Sequence, residues 1–264
     1  MQEADDGSDL ALLEAAARAA GRIALDFAGR KHDRWDKPGG AGPVTEADLA
    51  VNAMLEERLR TARPDYGWLS EESPDGRDRL ETRRLFIVDP IDGTRSFIDG
   101  ADTWAHALAV VENRRVTAAV VFLPVKGKLY SAAAGQGARL NGRPIRASSR
   151  ADLSGATMLA AKPTYESRHW PGGTPPVARH YRPSLAYRLA LVAEGRFDSM
   201  VTLRDSWEWD IAAGALLLTE AGATVSDRAG GELLFNNAHP QVDGVVAGGP
   251  AIHAGLMAGL TGAA

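Results

Sequence analysis

Three apolar segments in quick succession set the strongest limit on how this chain folds. They are AHALAVVE (105–112), RVTAAVVFLP (115–124) and KLYSAAA (128–134), parted only by short turns around NRR and VKG. Turns this short suit antiparallel hairpins. Asn141-Gly142 in RLNGRPI adds a two-residue hairpin turn. Two further strands, YGWLS and RLFIVD, precede the meander, and helical patterns lie on either side of it. Ser8 reads as the cap of a helix with Leu10, Leu13, Ala17, Ala20, Ile23 or Ala24, and Phe27 on its apolar face. TEADLAVNAMLEERLR opens a second helix, capped by Thr45, with Val51, Leu55 and Leu59 on one side. Beyond residue 150, TMLAA, RFDSMVTL and GVVAGG read as strands, and SLAYRLALVAEG, WDIAAGALLLTEAG and AIHAGLMAGL as helices. Helices and sheets therefore alternate, which predicts a layered α/β fold with parallel and antiparallel strands.

KHDRWDKPGGAG (31–42) and HWPGGTPPVARHYRP (169–183) read as Gly/Pro-rich loops. The second is a candidate join between an N-terminal lobe, 1–150, and a C-terminal lobe, 151–264, of a single domain. The 264 residues are 45% hydrophobic and 24% charged, an ordinary globular composition. A net charge of −4 supplies no broad basic footprint for a nucleic-acid polymer. There is no cysteine, which excludes disulfides and thiolate zinc sites and is compatible with a reducing cytoplasm. No apolar run approaches the roughly 20 residues of a membrane span. The start, MQEADDGSDL, is acidic and polar and does not read as a secretory signal. The expectation is a cytoplasmic protein with no membrane partner.

The chemistry concentrates in RLFIVDPIDGTRSF (84–97). An apolar strand runs into Asp89, then Pro90, which is expected to stop the ladder. A reversal at Pro90-Ile91 would aim Asp89, Asp92 and the Ile91 carbonyl into one space. These are hard oxygen ligands, suited to Mg²⁺, Mn²⁺ or Ca²⁺ rather than zinc. Taken alone, the segment is equally well a solvated turn. Three more acid-bearing segments shift the balance. WLSEES puts Glu71 and Glu72 at a strand end, WEWDIAAG puts Asp210 at a helix start, and PVTEAD puts Asp48 three residues after Thr45. Each has a plain reading: surface acids for the glutamates, an N-cap for Asp210, a first-turn charge for Asp48. The shared placement at strand ends and helix starts is harder to explain that way. His106 opens an apolar strand and reads as a packed core residue.

PVTEAD, SEES, DPIDGT and WDIAAGALLLTEAGA occur in the order and at about the spacing of the inositol monophosphatase family, which the chain resembles from Lys37 to its last helix. The resemblance implies an αβαβα sandwich, a homodimer, and a lithium-sensitive, metal-dependent phosphatase acting on a small phosphate monoester. It implies two to three Mg²⁺ ions, with Mn²⁺ as a substitute. Glu71, Asp89 and the Ile91 carbonyl would hold the first ion, and Asp89, Asp92 and Asp210 the second. A third, weaker ion would lie near Glu71. Thr94, with Asp48 or Glu72, would orient the attacking water. Lys37 matches the lysine of the family's mobile loop. Gly93 and Thr94 would offer backbone N–H groups to the phosphate. Ser70 stands where the family often has glycine.

Two rivals fit less well. Aspartyl-nucleophile phosphatases space their acids two apart, whereas Asp89 and Asp92 are three apart. A non-catalytic metal-binding module lacks the alternating acids of an EF-hand and leaves Thr94, Lys37 and Asp48 without a role. Substrate choice stays open between inositol monophosphate and adenosine 3′,5′-bisphosphate. VTLRDSWEWD has no acid at Thr202-Leu203 to hold ring hydroxyls, and PSLAYRLALVAEGRFD leans toward the 3′(2′),5′-bisphosphate nucleotidase branch. Arg188 and Arg204 would meet a second phosphate there.

Overall fold

The computed structural model describes residues 8–30, 33–37 and 42–262. The acidic start and parts of the 31–42 segment lie outside these residues. Helix α1 (Asp9–Phe27) begins where Ser8 accepts the Ala11 N–H, as its cap position predicts. Strands β1 (Arg34–Asp36) and β2 (Pro43–Thr45) pair antiparallel ahead of α2 (Glu46–Ala62). The 31–42 segment is thus not wholly loop. Its central residues find backbone partners in the strand that leads into α2.

The central sheet has seven strands in sequence order. They are β3 (Gly67–Ser70), β4 (Arg84–Asp92), β5 (Ala105–Glu112), β6 (Arg115–Leu123), β7 (Lys128–Ala133), β8 (Ala138–Leu140) and β9 (Arg143–Pro144). Only β3 and β4 run parallel; the rest form the antiparallel meander that short turns dictate. Asn141 (φ 49°) and Gly142 (φ 78°) make the predicted tight turn between β8 and β9. A short helix, α3 (Thr94–Ile98), follows β4.

A second sheet joins β10 (Thr157–Leu159), β11 (Ala178–His180), β12 (Ser199–Thr202), β14 (Thr224–Ser226) and β16 (Val245–Gly248), in the order β11-β10-β12-β16-β14. Segment 169–183 therefore contributes edge strand β11, which its Gly/Pro content concealed. A small pair, β13 (Ser206–Trp207) and β15 (Gln241–Val242), completes the strands. The remaining helices are α4 (Leu185–Ala193), α5 (Glu208–Glu220) and α6 (Pro250–Thr261).

Side-chain alternation along β4 explains the layering. Phe86 and Val88 pack with Leu13, Ala17, Val51 and Leu55 of α1 and α2. Leu85 and Ile87 face the opposite way, toward Leu189, Leu217 and Leu218 of α4 and α5. The same core takes in Met200 and Ala247 from the second sheet. That sheet's other face carries Val201 and Val246 against Ile252 and Leu256 of α6. The order is helix, sheet, helix, sheet, helix: an αβαβα sandwich. Among the described residues no helix is long and apolar enough to cross a membrane.

Candidate active site

Strand β4 does not stop at Pro90. Asp89 pairs in register with Ala107, the register slips, and Asp92 pairs with Ala105. Pro90 has no N–H to give to a ladder, so it sits at the bulge. The slip places an extra residue between two acids that a regular strand would aim at opposite faces. His106, fully buried, meets the Pro90 carbonyl through Nδ1, so that nitrogen carries the proton. Burial drops the His106 pKa to about 4, which keeps the ring neutral. Gly93, at φ 96°, then turns the chain into α3. A Cβ there would lie 3.3 Å from the Ser184 Cβ.

Two helix starts complete the carboxylate cluster. Ser184 caps α4, accepting the Tyr187 N–H at 3.1 Å while its hydroxyl donates to Asp92 Oδ2 at 2.6 Å. The Ala186 N–H donates to the same oxygen at 2.7 Å. Asp210 lies in the first turn of α5, but the cap position is held by Trp207, so the N-cap reading of Asp210 does not hold. One oxygen each from Asp89, Asp92 and Asp210 lies within 4.8 Å of the other two.

Electrostatics make this cluster costly by itself. Burial, then the charges of Glu71, Asp92, Asp210 and Asp48, push the Asp89 carboxyl well above its ordinary range. Burial, then Asp92 and Glu71, do the same to Asp210. Asp92 is raised by burial and held back by its Ser184 and Ala186 donors. Asp89 is 1% exposed, yet among the described residues its Oδ1 has no hydrogen-bond partner. A buried carboxylate oxygen, unpaired among the described residues and set among other carboxylates, fits a hard divalent cation.

A capping box holds Asp48. Its Oδ2 accepts from the Thr45 hydroxyl at 2.6 Å and the Thr45 N–H at 2.8 Å. Its other oxygen, Oδ1, is 3.3 Å from the Thr94 hydroxyl, which is also 3.2 Å from the Ile91 carbonyl. One hydroxyl proton serves one of these acceptors at a time. On the other side, Lys37 Nζ donates to Glu71 Oε1 at 2.7 Å and to Glu72 Oε1 at 2.6 Å. Burial opposes the Lys37 charge, but the two glutamates outweigh it and raise its pKa. Burial and the Glu71 charge push Glu72 up to about 7.

Residues 7–262 match the model of the Inositol monophosphatase family. The chain belongs to this family. An inositol-1-monophosphatase of Rhizobium meliloti is 36% identical over 230 residues, covering 83% of this chain and 85% of that protein. The Nus factor SuhB of Escherichia coli K12 is 30% identical over 260 residues, covering 94% and 93%. The solved IMPase of Thermotoga maritima superposes with a TM-score of 0.79 at 30% identity, covering 94% of each chain. Membership in the inositol monophosphatase family, a metal-dependent family, makes the chain a phosphomonoesterase.

Within this inositol monophosphatase fold, Asp89, Asp92 and Asp210 come together, and Thr94 contacts Asp48 and the Ile91 carbonyl. Glu71 lies outside the three-carboxylate set and is drawn to Lys37. Arg188 packs over the Tyr181 ring at 4.5 Å and donates from Nε to the Arg182 carbonyl. Burial lowers its pKa, with Arg204 among the contributing charges, and Asp92 works against the drop. Arg204 is exposed. Sequence reasoning missed Ser184 and the Ala186 N–H. The signal was present: a serine directly before the apolar run LAYRLALVA is a cap.

Proposed function

We propose that this chain hydrolyses a small phosphate monoester, with inositol monophosphate the first candidate, by direct attack of water and with no phosphoenzyme. The observation that carries this reading is the buried Asp89 Oδ1, without a hydrogen-bond partner among the described residues, amid Asp92 and Asp210. Asp89, Asp92 and Asp210, with Glu71 and the Ile91 carbonyl, are the residues to hold Mg²⁺ or Mn²⁺. When bound, such ions neutralise phosphate charge and lower the pKa of water, a contribution of several kcal/mol.

The chain's own groups do the positioning. Thr94 Oγ1 accepts a proton from the attacking water while its own proton passes to Asp48 Oδ1, the oxygen left free by the capping box. Gly93 and Thr94 offer backbone N–H groups to phosphate oxygens. Lys37 keeps Glu71 and Glu72 from repelling each other before substrate and cation arrive. Glu72 is the second candidate for holding the water. The pair of chains expected from the resemblance is testable by light scattering.

Phosphate release with millimolar Mg²⁺ tests the reading. Asp89→Asn is expected to lose activity by orders of magnitude while keeping its circular dichroism spectrum. Full activity in that variant, or activity untouched by chelator, would refute cation-dependent hydrolysis. Acid quench should trap no phosphoprotein.

A second reading has its own observation: Arg188 and Arg204 lie close enough to interact, and Arg188 also feels Asp92. A guanidinium pair beside the cluster suits a second phosphate, as in adenosine 3′,5′-bisphosphate. Arg188→Ala should then cut nucleotide turnover about 10-fold or more while sparing inositol phosphate. Equal losses on both substrates would make the arginine a structural residue.

A further inference from the structure

Two fully buried charges have no part in the chemistry proposed above. Glu208, 0% exposed, opens α5. Its Oε2 accepts the Asn236 N–H at 2.8 Å, and its Oε1 accepts from the Asn237 N–H at 2.8 Å and Asn237 Nδ2 at 2.7 Å. Arg79, 1% exposed, grips the same two asparagines from the other side. Its Nη1 donates to Asn236 Oδ1 at 2.6 Å and its Nη2 to the Asn237 carbonyl at 3.0 Å. Its Nε and Nη2 also donate to the two Asp75 oxygens, at 2.7 and 2.9 Å. Asn236 Nδ2 returns a bond to the Arg79 carbonyl at 3.2 Å. Asn236 sits at φ 63°, a left-handed conformation that its surroundings enforce.

The segments joined in this way are the ones that carry the site. Asp75 and Arg79 follow shortly after Glu71 and Glu72, and Glu208 stands two residues before Asp210 on the same helical turn. We propose that Arg79, Asn236, Asn237 and Glu208 form a clasp that fixes the span between the Glu71 side of the site and Asp210. Arg79 and Glu208 are then positioning residues for cation binding, and the proposal rests on the cation-dependent reading above. Like charges crowded at Asp89, Asp92 and Asp210 push their elements apart until a cation joins them. A clasp whose bonds are all made resists that spreading, so the ligands are in place before the ion arrives. Glutamine at 208 would offer one oxygen where three N–H groups need two, and would set its own amide against a donor.

Mn²⁺ binding by electron paramagnetic resonance, with no substrate present, tests the clasp. Glu208→Gln and Arg79→Lys should bind Mn²⁺ about 10-fold or more weakly, with kcat approaching wild type at saturating Mg²⁺. Glu220→Gln is the control, because Glu220 anchors the far end of α5 to the Gly135 and Gly137 N–H groups at 2.8 and 2.7 Å. It should lower the melting temperature and leave Mn²⁺ affinity unchanged. Arg114→Ala serves if the buried variants do not fold. It removes an exposed donor to Asn237 Oδ1 and should weaken Mn²⁺ binding about 2-fold. Unchanged Mn²⁺ affinity in every folded clasp variant, beside a wild type that binds, overturns the clasp alone. A wild type that binds no Mn²⁺ overturns the cation reading and the clasp together.

Discussion

Glu72 shows how a residue's surroundings set the protein's response to acid. Burial and the Glu71 charge lift its carboxyl from 4.5 to about 7 in the folded chain. Asp48, Asp89, Asp92 and Asp210 are displaced in the same direction. A carboxyl with a raised folded pKa binds its proton more tightly when folded. Its contribution to stability is complete below the unfolded value and is lost as pH rises through the folded one. In chelator, the melting temperature should therefore fall between about pH 5 and pH 8, and millimolar Mg²⁺ should largely remove that fall because it favours the charged carboxylates. Parallel pH profiles with and without Mg²⁺ would contradict this account. At this scale the sequence was a good guide wherever a short motif fixes the local backbone. Thr45 caps α2 as read, and Asp48, read as a first-turn charge, closes a capping box with it. Glu71 was harder to read, because its partner Lys37 arrives from a different element and residue spacing carries no record of such a meeting.

Among the elements, β4 departs most from its sequence reading. Proline argued for an end to the strand, yet the ladder resumes at Asp92 because the bulge absorbs the missing N–H and His106 serves the Pro90 carbonyl. Nothing local to DPIDG reveals a histidine 16 residues further on. Replacing His106 by Phe keeps a ring in the cage of Trp104 and Phe122 but removes the donor. This should cost about 1–3 kcal/mol in urea unfolding and lower kcat about tenfold or more through misplacement of Asp89 and Asp92. Wild-type kcat in a folded variant would show that the bulge holds without it. The α4–α5 crossing is equally exacting. A Cβ on Gly214 would lie 2.4 Å from Leu189 Cδ1 and 2.5 Å from Leu189 Cβ. Gly214→Ala gains up to about 1 kcal/mol of helix propensity but should still destabilise by about 1–3 kcal/mol through overpacking. A variant as stable as wild type in denaturant would mean that the crossing has slack.

Across the whole molecule, the site is a seam. Asp92 leaves the seven-stranded sheet to be held at the start of α4, and Asp210 lies in the first turn of α5, the helix packed beside it between the two sheets. An ion joining these carboxylates would tie the seven-stranded sheet to the helix layer between the two sheets. By mass action, Mg²⁺ at 100 times its dissociation constant should add about 2.7 kcal/mol to stability. The melting temperature should climb with log Mg²⁺ concentration, and Asp210→Asn should flatten that climb. A melting temperature indifferent to Mg²⁺ in the wild type would argue against the seam. Layered α/β packing was legible because helical and strand patterns alternate along the chain, whereas the αβαβα order came only with the family resemblance. Edge strand β11 was not, since its partner lies in β10 and its own sequence is polar and exposed. The distance along the chain between Asp92 and Asp210 also matters during synthesis. A ribosome moving at about 5–20 residues per second completes the first sheet and its helices seconds before it delivers Asp210. The emerging chain thus carries Asp89 and Asp92 without Asp210, the third carboxylate of the cluster. Nascent chains stalled ahead of Asp210 should retain Mn²⁺ more weakly than the full chain, and the added affinity that needs Asp210 should appear abruptly once α5 clears the exit tunnel.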